Sequence, residues 1–130
     1  MATITYTVTV ATGTNQYGTG NRYYINGTVS PTIQLQEGNT YIFDTSDSTN
    51  LTHVFAFSTN PNNSPAAPYT TGVTTTGVSG NAGSNTTIIV GNTTTRTDQT
   101  VPNLFYYCTV HGGMGGSAPT ITQSSGITNR

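Results

Sequence analysis

Three of the side chains best suited to holding a soft metal ion lie close together near the end of this chain. The sequence has one cysteine, two histidines and, after the initiator, one methionine, and it places three of these four in the string Cys108-Thr-Val-His111-Gly-Gly-Met114. A single cysteine or methionine is usually a core residue, and a single histidine usually has a structural place. Together they offer a thiolate, an imidazole and a thioether on one short loop. The spacing therefore predicts metal ligation.

Copper is the metal that this set of ligands favours. Two imidazoles and a thiolate in one plane, with a weak axial thioether, form the type 1 copper sites that transfer electrons. The second imidazole must come from His53, the other histidine of the chain, which lies in an apolar segment where a polar ring needs a partner. We predict His53, Cys108, His111 and Met114 as the four ligands. Zinc accepts the same nitrogen and sulfur ligands and is the alternative ion.

The segments that must position these ligands have the pattern of short β-strands. Polar and apolar residues alternate along residues 2–12, and His53, Phe55 and Phe57 share one face of the segment 51–58. Further strands are expected at residues 22–26, 32–36, 40–44, 86–90, 104–108 and 120–123, with Glu37-Gly38-Asn39 as the turn of a hairpin between two of them. The glycines that follow His111 suit a tight ligand loop. The pattern predicts an all-β chain folded as an antiparallel Greek-key β-sandwich of 6–8 strands.

Loops and chain organisation complete this expectation. We expect one domain over residues 1–130, a loop at 13–21, a long irregular excursion rich in proline and glycine at 59–84, and a tail at 117–130.

The amino-acid composition argues against several classes of function. Only 5% of the residues are charged, the net charge is −1, and threonine and asparagine supply much of the polar surface. Three scattered arginines provide no basic footprint for nucleic acid or for an anionic membrane. Two histidines, four carboxylates and the lack of a Gly-x-Ser-x-Gly string argue against a hydrolase, so we expect no enzyme activity. The start MATITYTVTV alternates, unlike a signal peptide.

The sequence resembles the cupredoxin family of small copper proteins over residues 22–116. The resemblance rests on the string Glu37-Gly38-Asn39-Thr40, an isolated histidine on the next strand, and an aromatic strand that runs into Cys-x-x-His-x-x-Met. It implies a copper site with His53, Cys108 and His111 as equatorial ligands and Met114 as the axial ligand. Many members have asparagine directly after the first histidine, to brace the ligand loop, and proline before the second. This chain has Val54 and Val110 at those places.

A second resemblance points to the setting of such a module. The strings TYIFDTSDSTNLTHVFAFST, PYTTGVT and FYYCTVHGGMGG are similar to cupredoxin-like modules in phage structural proteins. The resemblance implies a structural or accessory protein on a virion surface, of the decoration type, whose partners are capsid or tail subunits. A net charge near zero suits a subunit that is fixed in an assembly. The alternative is a soluble electron-transfer protein with a redox partner protein.

Overall fold

A computed structural model describes residues 2–61, 67–91 and 101–121, which form eleven β-strands and one short 3-10 helix. Seven of the strands have four residues or more, and the other four are pairs or triplets of residues. The strands are β1 (Thr3–Asn15), β2 (Gly18–Ile25), β3 (Thr28–Val29), β4 (Leu35–Gln36), β5 (Thr40–Asp44), β6 (Phe55–Ser58), β7 (Val73–Thr76), β8 (Asn85–Ile89), β9 (Leu104–Cys108), β10 (Gly116–Ala118) and β11 (Thr120–Ile121). The helix spans Ser48–Asn50. No helix in these ranges is long and apolar enough to cross a membrane.

The larger layer is a six-stranded sheet in the order β3-β2-β1-β5-β8-β7. Its longest strand, β1, changes partner along its length. Thr3 to Thr7 pair in parallel with β5, whereas Val8 to Asn15 pair antiparallel with β2. The alternating threonines leave one face of β1 polar, and Val8 and Val10 on the other face are buried. The strand thus behaves as its period of two predicts.

The second layer is a three-stranded antiparallel sheet in the order β10-β9-β6, accompanied by the parallel pair β11-β4. Its aromatic side chains fill the space between the layers. Phe55 stacks on Phe43 of the larger sheet at 4.8 Å between ring centroids and on Tyr106 of its own sheet at 5.4 Å. Burial of such rings supplies much of the driving force for folding. The expected all-β sandwich is confirmed, with two parallel strand pairs among the antiparallel ones.

The expected hairpin between residues 32–36 and 40–44 is wrong. The turn exists, with Gly38 at a φ of 96° and the Asn39 N–H donating to the Gln36 carbonyl, but the two strands enter different sheets. β4 pairs in parallel with β11, and β5 pairs with β1 and β8. Alternation of apolar residues fixes which side chains are buried, and it leaves the pairing partner open.

Two expected irregular segments also contain strands. The loop predicted at 13–21 is largely the β1–β2 hairpin, since β1 extends to Asn15 and β2 begins at Gly18. The excursion at 59–84 contains β7, which pairs antiparallel with β8. In both places β-branched threonines between the glycines favour extended backbone. Residues 62–66 of the excursion, and residues 122–130 of the tail with the end of its expected strand at 120–123, lie outside the described residues.

Candidate metal centre

Three of the four predicted ligands, His53, Cys108 and His111, meet where β6 begins and β9 ends. These strands pair antiparallel with Phe55 opposite Cys108, so the residues before β6 and those after β9 lie side by side. The pairing continues one step further, because the Thr109 N–H donates to the Val54 carbonyl at 3.0 Å. His53 and the ligand loop are thereby brought to the same end of the sandwich.

Three potential ligand atoms converge at this end. The Cys108 Sγ lies 3.8 Å from His53 Nδ1 and 3.8 Å from His111 Nδ1, and the ligand atoms of all three residues are within 4.8 Å of one another. The two imidazole rings are 4.8 Å apart between centroids and inclined at 52°. Cys108 and His53 are buried, whereas His111 is exposed. The cluster is therefore closed on the protein side and open to solvent at one imidazole.

His53 is oriented by the 3-10 helix that precedes it. Its N–H donates to the Asn50 carbonyl at 2.9 Å. Asn50 is fully buried, and its side-chain amide donates to the Val8 carbonyl at 2.8 Å. The Thr49 hydroxyl accepts from the Val10 N–H at 2.9 Å. The turn is thus fixed on β1, and the imidazole at its end has a defined place.

The loop that carries His111 depends on two glycines. Gly113 has a φ of 80°, which residues with a Cβ seldom adopt. Gly115 passes so close to β9 that a Cβ on it would overlap the Tyr106 carbonyl. The loop can fold back on β9 only because these positions lack side chains.

Polar groups of the larger sheet hold this loop from the other side. The Asn15 side-chain amide donates to the Gly113 carbonyl at 2.8 Å and to the Ser30 hydroxyl at 2.9 Å. The Met114 carbonyl accepts from the Ser30 hydroxyl at 3.1 Å and from the Tyr23 N–H at 2.8 Å. Bracing of a ligand loop is needed wherever the ligands must keep their geometry. In this chain the Asn15 and Ser30 side chains supply hydrogen bonds that the apolar Val54 side chain, directly after His53, cannot make.

Met114 lies on the same loop and is buried, with 1% of its surface exposed, inside the hydrophobic core. Its backbone is fixed by the bonds of its carbonyl. The structure therefore brings His53, Cys108 and His111 together. Met114 is three residues after His111 in the sequence, and its side chain is buried in the core. Axial ligation by the Met114 sulfur stays a prediction.

Burial changes the proton affinity of two groups at the centre. The pKa of His53 is lowered, first because burial penalises the charged ring and second because His111 is close. The pKa of Tyr23 is raised well above its usual value, chiefly by burial and then by the charge and sulfur of Cys108. A neutral His53 has a nitrogen lone pair available for a metal ion.

Several residues of this neighbourhood were not expected from the sequence. Asn50 is close to His53 in the chain, whereas Asn15, Tyr23 and Ser30 act on the segment that carries His111 and are far from it in the chain. Asn15 lies in the segment predicted as a loop, and nothing in the alternation of residues 22–26 distinguishes Tyr23 from an ordinary core aromatic residue. Their roles follow from the sheet pairing.

The residues present fit a small thiophilic metal ion. Ligand atoms bound to one ion at roughly 2.0–2.3 Å, as in zinc sites, lie about 3.5–4 Å apart at wide angles. Both sulfur–nitrogen separations, at 3.8 Å, have this value. A thiolate and two imidazoles are ligands that copper and zinc both accept.

Comparison of the chain with known protein families and with curated proteins gave no match. The arrangement of His53, Cys108 and His111 is therefore the feature that bears on function.

Proposed function

We propose that this protein is a cupredoxin-like copper-binding module with one type 1 site. The observation that carries the proposal is the position of the His53 and His111 Nδ1 atoms, each 3.8 Å from the Cys108 sulfur. These three residues would hold the ion, together with Met114 as the fourth ligand. A bound copper ion supplies one-electron redox chemistry.

Burial of the sulfur favours ligation over catalysis. Reactive cysteines are partly exposed so that a substrate can reach the thiolate. Cys108 has no exposed surface, and a nitrogen of each of two histidines lies 3.8 Å from its sulfur. We therefore propose a binding role and no enzyme activity.

Metal titration tests the proposal directly. Cu(II) added to the metal-free protein should produce an intense visible band from thiolate-to-copper charge transfer, with a stoichiometry of about one. Cys108→Ala is a clean control, because the chain has no other cysteine. Zn(II) should compete for the site without giving the band. A wild-type protein that shows no band, and whose unfolding temperature does not change with copper, would contradict the proposal.

The axial role of Met114 needs a separate test, because a buried methionine also fills space. Met114→Leu keeps a similar volume, so we expect the free energy of unfolding to change by less than about 1.5 kcal/mol. If the thioether is the axial ligand, the copper-loaded variant should show a changed reduction potential and electron paramagnetic resonance spectrum. Unchanged values would make Met114 a core residue only.

We further propose that the module belongs to a larger assembly, of which a phage virion surface is the kind that the sequence resemblance favours. The supporting observation is the charge content of 5%, with threonine side chains alternating along β1 on the outer face of the larger sheet. Such a neutral surface gives a free protein little protection against association. Sedimentation at high concentration and isolation of the native particle test this: subunit contacts are expected, and a monomer found free of any particle would contradict it.

A soluble electron carrier is the second candidate, and one observation favours it. The imidazole of His111 is exposed, and the neighbouring Val110 has 58% of its surface exposed. An exposed ligand edge beside an apolar side chain offers a route for an electron to a docked partner. Fast electron exchange between copper-loaded molecules, lost on changing Val110→Asp with the copper band intact, would support this function.

A further inference from the structure

The hydroxyl group of Tyr23 is an unusual feature of the core. Tyr23 has no exposed surface, and among the described residues no partner meets the geometry of a full hydrogen bond to its hydroxyl oxygen. Almost all buried polar groups in folded proteins have such a partner, and an orphaned one destabilises the fold. A tyrosine at this position therefore needs an explanation, because phenylalanine would fill the same space without an unpaired hydroxyl.

Backbone and ring contacts place Tyr23 against the metal centre. Its N–H donates to the Met114 carbonyl at 2.8 Å, which joins β2 to the ligand loop. Its ring contacts that of Phe55 at 5.1 Å between centroids, and Phe55 is the residue paired with Cys108 across the sheet. The Cys108 sulfur is near enough to interact with the hydroxyl and to raise the pKa of Tyr23 beyond the larger effect of burial. The orphaned hydroxyl thus lies beside the one thiol of the chain.

We propose that Tyr23 is a positioning residue of the metal centre, whose hydroxyl donates a hydrogen bond to the Cys108 thiolate when the site is loaded. This inference rests on the proposed copper function. The loaded site holds cysteine as a thiolate, which is a stronger acceptor than a thiol, so metal loading would give the hydroxyl the partner that it lacks. A hydrogen bond withdraws electron density from the sulfur, and the thiolate then donates less to the metal. Hydrogen bonding around this sulfur is one of the determinants of the reduction potential of type 1 sites.

The variant Tyr23→Phe removes only the hydroxyl and keeps the ring against Phe55. We expect it to load copper with wild-type stoichiometry, to have a lower reduction potential, and to show a displaced charge-transfer band. Tyr106→Phe is the matched control. Tyr106 is equally buried and also stacks on Phe55, but its hydroxyl donates to the Pro31 carbonyl at 2.6 Å. It should reduce stability and leave the potential and the band where they are.

A double-mutant cycle in the metal-free protein gives a readout that is independent of copper. The free energy of unfolding is measured for wild type, Tyr23→Phe, Cys108→Ala and the double variant. If the hydroxyl interacts with the sulfur, the effect of Tyr23→Phe changes when Cys108 is absent. Equal effects in both backgrounds would overturn the contact.

The outcomes separate the two proposals. A normal copper band in Tyr23→Phe with an unchanged potential overturns the role of Tyr23 and leaves the copper site standing. A wild-type protein without the band overturns the copper site, and the role of Tyr23 with it.

Discussion

The two histidines of the candidate metal centre are held by different kinds of structure. His53 is buried at the end of a 3-10 turn that is fixed on β1 by Asn50 and Thr49, and its place is set before any metal arrives. His111 is exposed on a glycine-containing loop whose braces act on the backbone of Gly113 and Met114. The difference indicates that His53 and Cys108 have fixed positions in the interior, whereas His111 lies on the solvent side of the site.

The largest expected effect comes from removing each imidazole in turn. His53→Gly and His111→Gly should each weaken copper binding by more than the ~10–100-fold typical of losing a group that only orients a ligand. Added imidazole should restore the visible band in His111→Gly, because that position is open to solvent. It should fail in His53→Gly, because the side chain is buried.

Titration of each variant with copper and imidazole, followed by the visible band, measures this contrast. Wild-type protein with imidazole is the control for displacement of the native ligands. Equal rescue of both variants would mean that the two histidine positions are equally accessible to solvent. The proposed difference between a buried, fixed His53 and an exposed His111 would then be wrong.

A second, smaller effect is expected on the loop side. Gly115→Ala places a methyl group on the Tyr106 carbonyl, so the loop or β9 must move. We expect the free energy of unfolding to fall by about 1–3 kcal/mol, as for overpacked core positions, with weaker copper binding. Thr109→Ala, at an exposed position of the same loop, should change stability by less than about 0.5 kcal/mol. Urea unfolding of both variants measures the difference, and equal stability would show that Gly115 is not tightly packed.

The His53 side is expected to show a pH dependence in the metal-free protein. Because the folded pKa of His53 is lowered, the unfolded chain binds more protons below the ordinary histidine pKa of about 6.5. The contribution of His53 to the free energy of unfolding should therefore be fully present above that pH, and it should be lost as the pH falls below it. Among the residues that the structure describes, Cys108 and His111 are the titratable groups that face the ring. Urea unfolding at pH 7.5 and pH 5 should show a smaller decrease in His53→Gln, and an identical decrease would assign the effect to another group.

The sequence was informative about the strands whose periodicity is strong. Residues 104–108 were predicted as a strand with the bounds that β9 has, and the shared face of His53, Phe55 and Phe57 is buried as expected. Pairing was harder, because β4 and β5 satisfy the same alternation in separate sheets. Strand partners depend on contacts between distant segments, which one sequence does not display.

The candidate site shows the same division. Cys108 and His111 could be joined from their spacing alone, and His53 could be added because the chain has no further histidine. Asn15 and Tyr23 could not, because they reach the loop through the pairing of β1, β2 and the loop backbone. Rare residues reveal ligands, whereas the common residues that support them are recognisable only in the fold.

The smallest expected effect concerns the backbone directly before His53. Thr52 has a φ of 68°, in the left-handed region that a β-branched residue seldom adopts, and its side chain is exposed. The left-handed conformation costs a residue with a Cβ about 1–2 kcal/mol, and glycine loses part of that advantage through its larger unfolded-state entropy. Thr52→Gly should therefore raise the free energy of unfolding by roughly 0.5–1 kcal/mol, with Thr109→Gly as a control without a positive φ. If Thr52 also restricts the motion of the turn that positions His53, Thr52→Gly should bind copper more slowly while being more stable. The more mobile turn would no longer hold the His53 imidazole in place before copper binds. A variant that is less stable than wild type would contradict this prediction, because it would show that the Thr52 side chain stabilises the turn.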